Sequence, residues 1–85
     1  MTNSRLIPFA EFRRFLNGLG FKDKRAENAW VFHHPTEGLI VLRLYGEEGA
    51  VAERDLRSTR RFLDMRGVLE GKDFDAFVQR ATTPA

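Results

Sequence analysis

Two adjacent histidines, His33 and His34, are the only imidazoles in this 85-residue chain, and Arg43 follows them at a distance. A neutral imidazole can take the proton of a ribose 2′-hydroxyl, and a guanidinium can stabilise the phosphorane that attack creates. His33 with Arg43 is the fallback pair of residue types for that chemistry. Neighbouring strand residues point to opposite faces, so His33 and His34 do not share a site. His34 is instead expected to pack or hydrogen-bond beside the turn that follows it. Histidines at i, i+1 with scattered carboxylates match no usual metal-ligand spacing, and the chain has no cysteine. The loop Gly46-Glu47-Glu48-Gly49 is short, and its acids repel phosphate. No metal and no cofactor is expected.

Two further sets of residues suggest binding rather than bond breaking. Lys22, Lys24 and Arg25 fall in one short basic stretch, and Arg54, Arg57 and Arg61 recur along a helical stripe. Double-stranded RNA is recognised largely through phosphates and 2′-hydroxyls, which cations of this kind can contact without base readers. Glu53, Asp55 and Asp64 lie close by in sequence, so a solvated charged face is the plainer account of the same stripe. The second set is Ala29, Val31, Val41 and Tyr45, which alternation places together on one sheet face with His33 and Arg43. That face suits a partner chain or a second copy.

A hairpin is expected to position these residues. Residues 29–34 and 39–45 are rich in β-branched and aromatic side chains, and the Pro-Thr-Glu-Gly turn at 35–38 separates them. Alternation puts Trp30, Phe32 and His34 with Ile40, Leu42 and Leu44 on the core face. Before the hairpin, Pro8 opens a helix whose Phe9, Phe12, Leu16 and Leu19 keep helical spacing, with Phe15 on the flank. Gly20 suits its left-handed C′ position. Residues 21–26 form a basic edge strand, and Glu27-Asn28 turns into the hairpin. After the acidic loop, residues 51–66 form a helix with Ala52, Leu56, Thr59 and Leu63 inward and Phe62 at the flank, closed by Gly67. A last short helix spans 73–80, with Phe74, Phe77 and Val78 at i, i+3, i+4. The expected fold is α+β: a two-layer α-β-β-β-α sandwich, a three-stranded antiparallel sheet with helices on one face, plus the C-terminal helix. It forms one domain over 1–85, with a core at about 8–80 and ragged ends at 1–6 and 81–85.

Composition sets outer limits. Eight Phe and 42% hydrophobic residues are enough for one core in a chain this size, so disorder is expected only at the ends. Net charge is +2, unevenly spread: residues 1–34 carry +3 and 50–66 carry +2, against −2 for 35–49 and −1 for 67–85. Such a bias permits a polyanionic partner without requiring one. No apolar run approaches the roughly 20 residues that span a bilayer, and the first residues have no signal-peptide core. A cytoplasmic location without membrane contact is expected.

Residues 11–21 (EFRRFLNGLGF), 30–35 (WVFHHP), 39–45 (LIVLRLY), 54–69 (RDLRSTRRFLDMRGVL) and 73–78 (DFDAFV), in this order, resemble the HicA-type toxins of bacterial toxin–antitoxin pairs. Those are small mRNA interferases with a double-stranded-RNA-binding-domain-like fold. The resemblance covers about 9–78 and rests mainly on Leu19-Gly20-Phe21, on Phe-x-His-Pro at 32–35 and on Leu56-Arg57-Ser58. It implies that fold, an RNA substrate and an antitoxin partner. The family's second strand begins Gly-Ser-His, with a catalytic histidine. Glu27, Asn28 and Ala29 occupy those positions here, and Ala29 can neither give nor accept a proton. Where the family has a Val-His-like pair and a Gly-Lys loop, this chain has Leu44, Tyr45, Gly46, Glu47 and Glu48. The expectation is therefore a catalytically degenerate HicA-like domain that binds RNA, a partner protein or both. The alternatives are an active, metal-independent mRNA interferase using His33, and a purely protein-binding module working through the open sheet face.

Overall fold

The computed structural model describes residues 7–46 and 48–81. Residues 1–6 and 82–85 of the expected ragged ends, and Glu47 of the acidic loop, lie outside the described residues, whereas Ala81, expected in the ragged tail, is helical. Pro8 precedes α1 (Phe9–Gly18), and its carbonyl accepts from the Glu11 and Phe12 amides. α1 stops at Gly20, whose φ of +101° only glycine adopts without strain. There the Phe21 N–H bonds the Leu16 carbonyl and the Gly20 N–H bonds that of Asn17, a Schellman closure. α2 (Glu53–Met65) ends the same way: Val68 N–H reaches Leu63 and Gly67 N–H reaches Asp64. α3 (Gly71–Ala81) starts two residues before the expected 73, with the Asp73 and Phe74 amides donating to the Glu70 carbonyl.

Three antiparallel strands lie in the order β1-β2-β3: β1 (Lys22–Arg25), β2 (Trp30–His34) and β3 (Gly38–Leu42). The β2–β3 register pairs Trp30 with Leu42, Phe32 with Ile40 and His34 with Gly38. His34 closes the hairpin: its Nδ1 accepts from the Thr36 and Glu37 amides at 3.1 and 3.2 Å, and its ring packs against Phe21. Phe32, Ile40 and Leu42 meet Phe9, Phe12 and Leu16 of α1, Leu56 and Leu63 of α2, and Phe74, Phe77 and Val78 of α3 in one core. Phe15 stacks on Phe77 with centroids 3.8 Å apart, which ties α3 to α1. Thr59 is fully buried in this core, and its hydroxyl has no partner among the described residues. The α+β architecture is the expected one, with an open sheet covered on one face.

Three expectations are corrected. Ladder alternation runs only to Leu42, the last β3 residue with a partner in β2. Beyond it the phase breaks: Leu44, expected in the core, is exposed, and Tyr45, expected outside, turns in to stack on Phe9 at 5.4 Å. Ala29 belongs to the β1–β2 turn rather than to the strand, with its carbonyl accepting from the Ala26 N–H. Val51 is not helical. Residues 49–51 run alongside residues 7–9, with Phe9 N–H bonding Gly49 and Val51 N–H bonding Ile7, so Val51 is buried before α2 begins.

Candidate nucleic-acid interface

The first three turns of α2 carry Arg54, Arg57, Ser58 and Arg61 along one face, at spacings of i, i+3, i+4 and i+7, and the four line an open depression. None of these three guanidiniums makes an ion pair or hydrogen bond among the described residues. Arg13, Arg14, Arg43 and Arg60 meet carboxylates, whereas Arg25, Arg66 and Arg80 make no ion pair among the described residues. Arg60 makes a two-pronged pair with Asp75 of α3 at 2.9 and 3.1 Å, Arg13 meets Asp23 at 3.0 Å, and Arg14 meets Glu11 at 2.9 Å. Asp75 accordingly holds Arg60 above its ordinary pKa.

Asp55 is withdrawn from the stripe, although Glu53 and Asp64 remain exposed on the same helix. By sequence Asp55 neighbours Arg54 and could neutralise it, but the helix turns Asp55 inward and buries it. Its Oδ2 accepts from the Tyr45 hydroxyl at 2.6 Å and faces the Arg43 amide at 3.4 Å. The same Tyr45 oxygen accepts from the Ala52 N–H at 2.8 Å, serving the helix entry where Ala52 offers no capping side chain. Tyr45 is held in place by Phe9 and by its own carbonyl, which accepts from the Trp30 indole. Desolvation first, and then the bond to Asp55, push the Tyr45 phenol above its ordinary 10.0. With Asp55 occupied, Arg54 and Arg57 stand near the positive end of the helix dipole, an arrangement unfavourable to the isolated helix and attractive to an anion. Histidines and carboxylates are not among the residues lining the depression, so it is equipped to hold phosphate oxygens and has no proton acceptor of its own.

The remaining candidate residues divide between surfaces. Lys22 pairs with His33, which pairs with Leu39, while Lys24 pairs with Val31, which pairs with Val41. These two rows form the outer sheet face, opposite the helices. Arg25 lies in the Trp30–Leu42 row and is exposed at its rim. The six cations therefore do not form one surface. Lys22 and Lys24 share the outer sheet face, while Arg54, Arg57 and Arg61 come together on α2, where Ser58 joins them; its i+4 spacing from Arg54 could have identified it from sequence.

Of the four expected partner-binding residues, Val31 and Val41 lie side by side on the outer face, with Val41 57% exposed, whereas Ala29 and Tyr45 are elsewhere. Leu39, 50% exposed, belongs to this face, and its parity with Val41 was the missed signal. His33 and Arg43 are not brought together. His33 sits opposite Leu39, four residues from Arg43 and so roughly 13 Å along the sheet. Arg43 instead approaches Asp55 at 3.9 Å. Among the described residues no group of three His, Asp or Glu is placed to hold a metal ion, and no helix is long and apolar enough to cross a membrane. No family model matches the chain, and neither does any curated protein or solved structure.

Proposed function

We propose that this chain is a HicA-like domain of a bacterial toxin–antitoxin type pair that grips the phosphate backbone of RNA through α2 without cutting it. The carrying observation is the α2 stripe: Arg54, Arg57 and Arg61 lie together on one face of one helix, around an open depression, without carboxylate partners among the described residues. Unpaired guanidiniums repelling one another on a helix cost stability, and a polyanion relieves that cost on binding. The element order agrees with the fold that the resemblance implies, and the resemblance's catalytic position is held by Ala29. The separation of His33 from Arg43 favours binding over cleavage. A second reading, a protein partner on the outer sheet face, is favoured by the exposure of Leu39 and Val41.

The test is RNA binding in EDTA across a salt series, comparing the wild type with the combined Arg54→Gln, Arg57→Gln, Arg61→Gln variant. Wild-type affinity should fall steeply with salt, and the variant should lose about 2–3 from the log–log slope. Equal binding by both proteins would remove α2 from the interface. RNA cleavage by the wild type that disappears in His33→Ala would replace this reading with the active ribonuclease.

A further inference from the structure

The two edges of the sheet differ in chemistry. β1 is Lys-Asp-Lys-Arg, whose charges discourage strand addition. β3 is Gly-Leu-Ile-Val-Leu, with neither a charge nor a proline. β3 pairs with β2 on one side, and among the described residues nothing else hydrogen-bonds its backbone. Its other edge therefore presents free N–H and C=O groups, flanked by the exposed side chains of Leu39 and Val41.

The residues around that edge are complementary to themselves in reverse. Counted outward from Ile40, Leu39 is matched by Val41, Gly38 by Leu42, and Glu37 by Arg43. An antiparallel strand laid against β3 in this register sets apolar residues opposite apolar ones. At both ends, one residue beyond β3, it brings Glu37 of the turn, whose carboxylate accepts from the Thr36 hydroxyl at 3.1 Å, near Arg43. The Arg43 side chain is 56% exposed, and its contact with Asp55 is long at 3.9 Å, so it is available for such a pair. A segment that complements itself about one point is the signature of a two-fold, isologous contact.

We infer that the free edge of β3 pairs antiparallel with β3 of a second copy of this chain, across a two-fold axis at Ile40, giving a continuous six-stranded sheet. Leu39 of each copy packs on Val41 of the other on the outer face, as cross-strand neighbours do. Glu37 of each copy meets Arg43 of the other, which sets both register and direction. This pairing uses the sheet edge and does not depend on RNA being the ligand of α2.

The charge pattern supplies its own test, read by analytical ultracentrifugation up to about 1 mM protein. The wild type should associate reversibly to a dimer. Glu37→Arg alone places two arginines together at each end, Arg43→Glu alone places two glutamates there, and each should dimerise about tenfold or more weakly. Mixed in equal amounts, the two variants restore both opposite-charge pairs and should form a heterodimer near wild-type strength. Val41→Lys, at an exposed position where folding is little affected, should also dimerise more weakly than the wild type. Thermal melts check that each variant is folded. A wild type that stays monomeric throughout would overturn the inference and leave the edge to a strand of a different protein. Variants that dimerise like the wild type, or folded variants whose mixture fails to associate, would equally overturn it.

Discussion

The Tyr45 hydroxyl stands between a helix entry and a buried carboxylate, so its protonation is coupled to folding. It donates to Asp55 and accepts from the Ala52 amide, and only the neutral phenol can do both. Because the folded-state pKa lies above the ordinary 10.0, the fold favours the protonated form. Its contribution is fully present below the pKa of the unfolded phenol and is lost as pH rises from there through the raised native value. Tyr45→Phe leaves Asp55 and the Ala52 amide without this partner, and should cost about 1–3 kcal/mol near neutral pH. The gap between the two proteins should narrow above pH about 10. Thermal melts of both proteins from pH 8 to 11 would check this, and a gap independent of pH would refute the coupling. At this scale the sequence was misleading, because strand alternation carried past Leu42 put Tyr45 on the wrong side. What turned it inward is a packing preference: its ring has Phe9 to stack on and its oxygen has two polar partners.

At the scale of elements, the joints matter more than the interiors. Gly18 and Gly20 lie two residues apart at the end of α1, and substitution should act on them with opposite sign. Gly20 has φ +101°, and a Cβ there would come within 3.0 Å of His34 Nε2, on the ring that clasps the hairpin turn. Gly20→Ala should therefore lose at least about 1–2 kcal/mol. Gly18 is helical with open space around its Cα, so Gly18→Ala should gain about 0.4–1 kcal/mol through a less flexible unfolded chain. Urea unfolding measures both, and changes of the same sign would contradict this account of the joint. These features were legible because they are local: a glycine after an apolar helical stripe announces its own backbone angle. The run beside residues 7–9 that buries Val51 was not legible, since it depends on two segments some forty residues apart.

For the whole molecule, the question is which charged residues share a surface. The strands put Lys22 and Lys24 on the outer sheet face, while Arg54, Arg57 and Arg61 belong to a helix packed against the inner one. If α2 is the RNA interface, a Lys22→Gln, Lys24→Gln double variant should change affinity and salt slope far less than the triple arginine variant, despite removing charges of the same sign. Equal effects in the same titration would mean that RNA wraps both faces. A net charge of +2 could not have made this distinction, because it counts charges without placing them.

The sequence by itself determined the order of elements, the hairpin with its His34-supported turn, the glycine closures of α1 and α2, and the aromatic stripe that becomes the core. Each follows from interactions within a few residues or from periodicity within one element, and neither needs knowledge of what lies opposite. Tertiary structure decided where the β2–β3 ladder stops, and with it the positions of Leu44 and Tyr45. It also decided that Asp55 is used internally, withdrawn from the α2 arginines, and that Arg43 and His33 stay apart. Those outcomes depend on partners distant in the chain: Trp30 is the residue that gives Leu42 the last place in the ladder, and Tyr45 is the residue whose hydroxyl donates to the inward-facing Asp55.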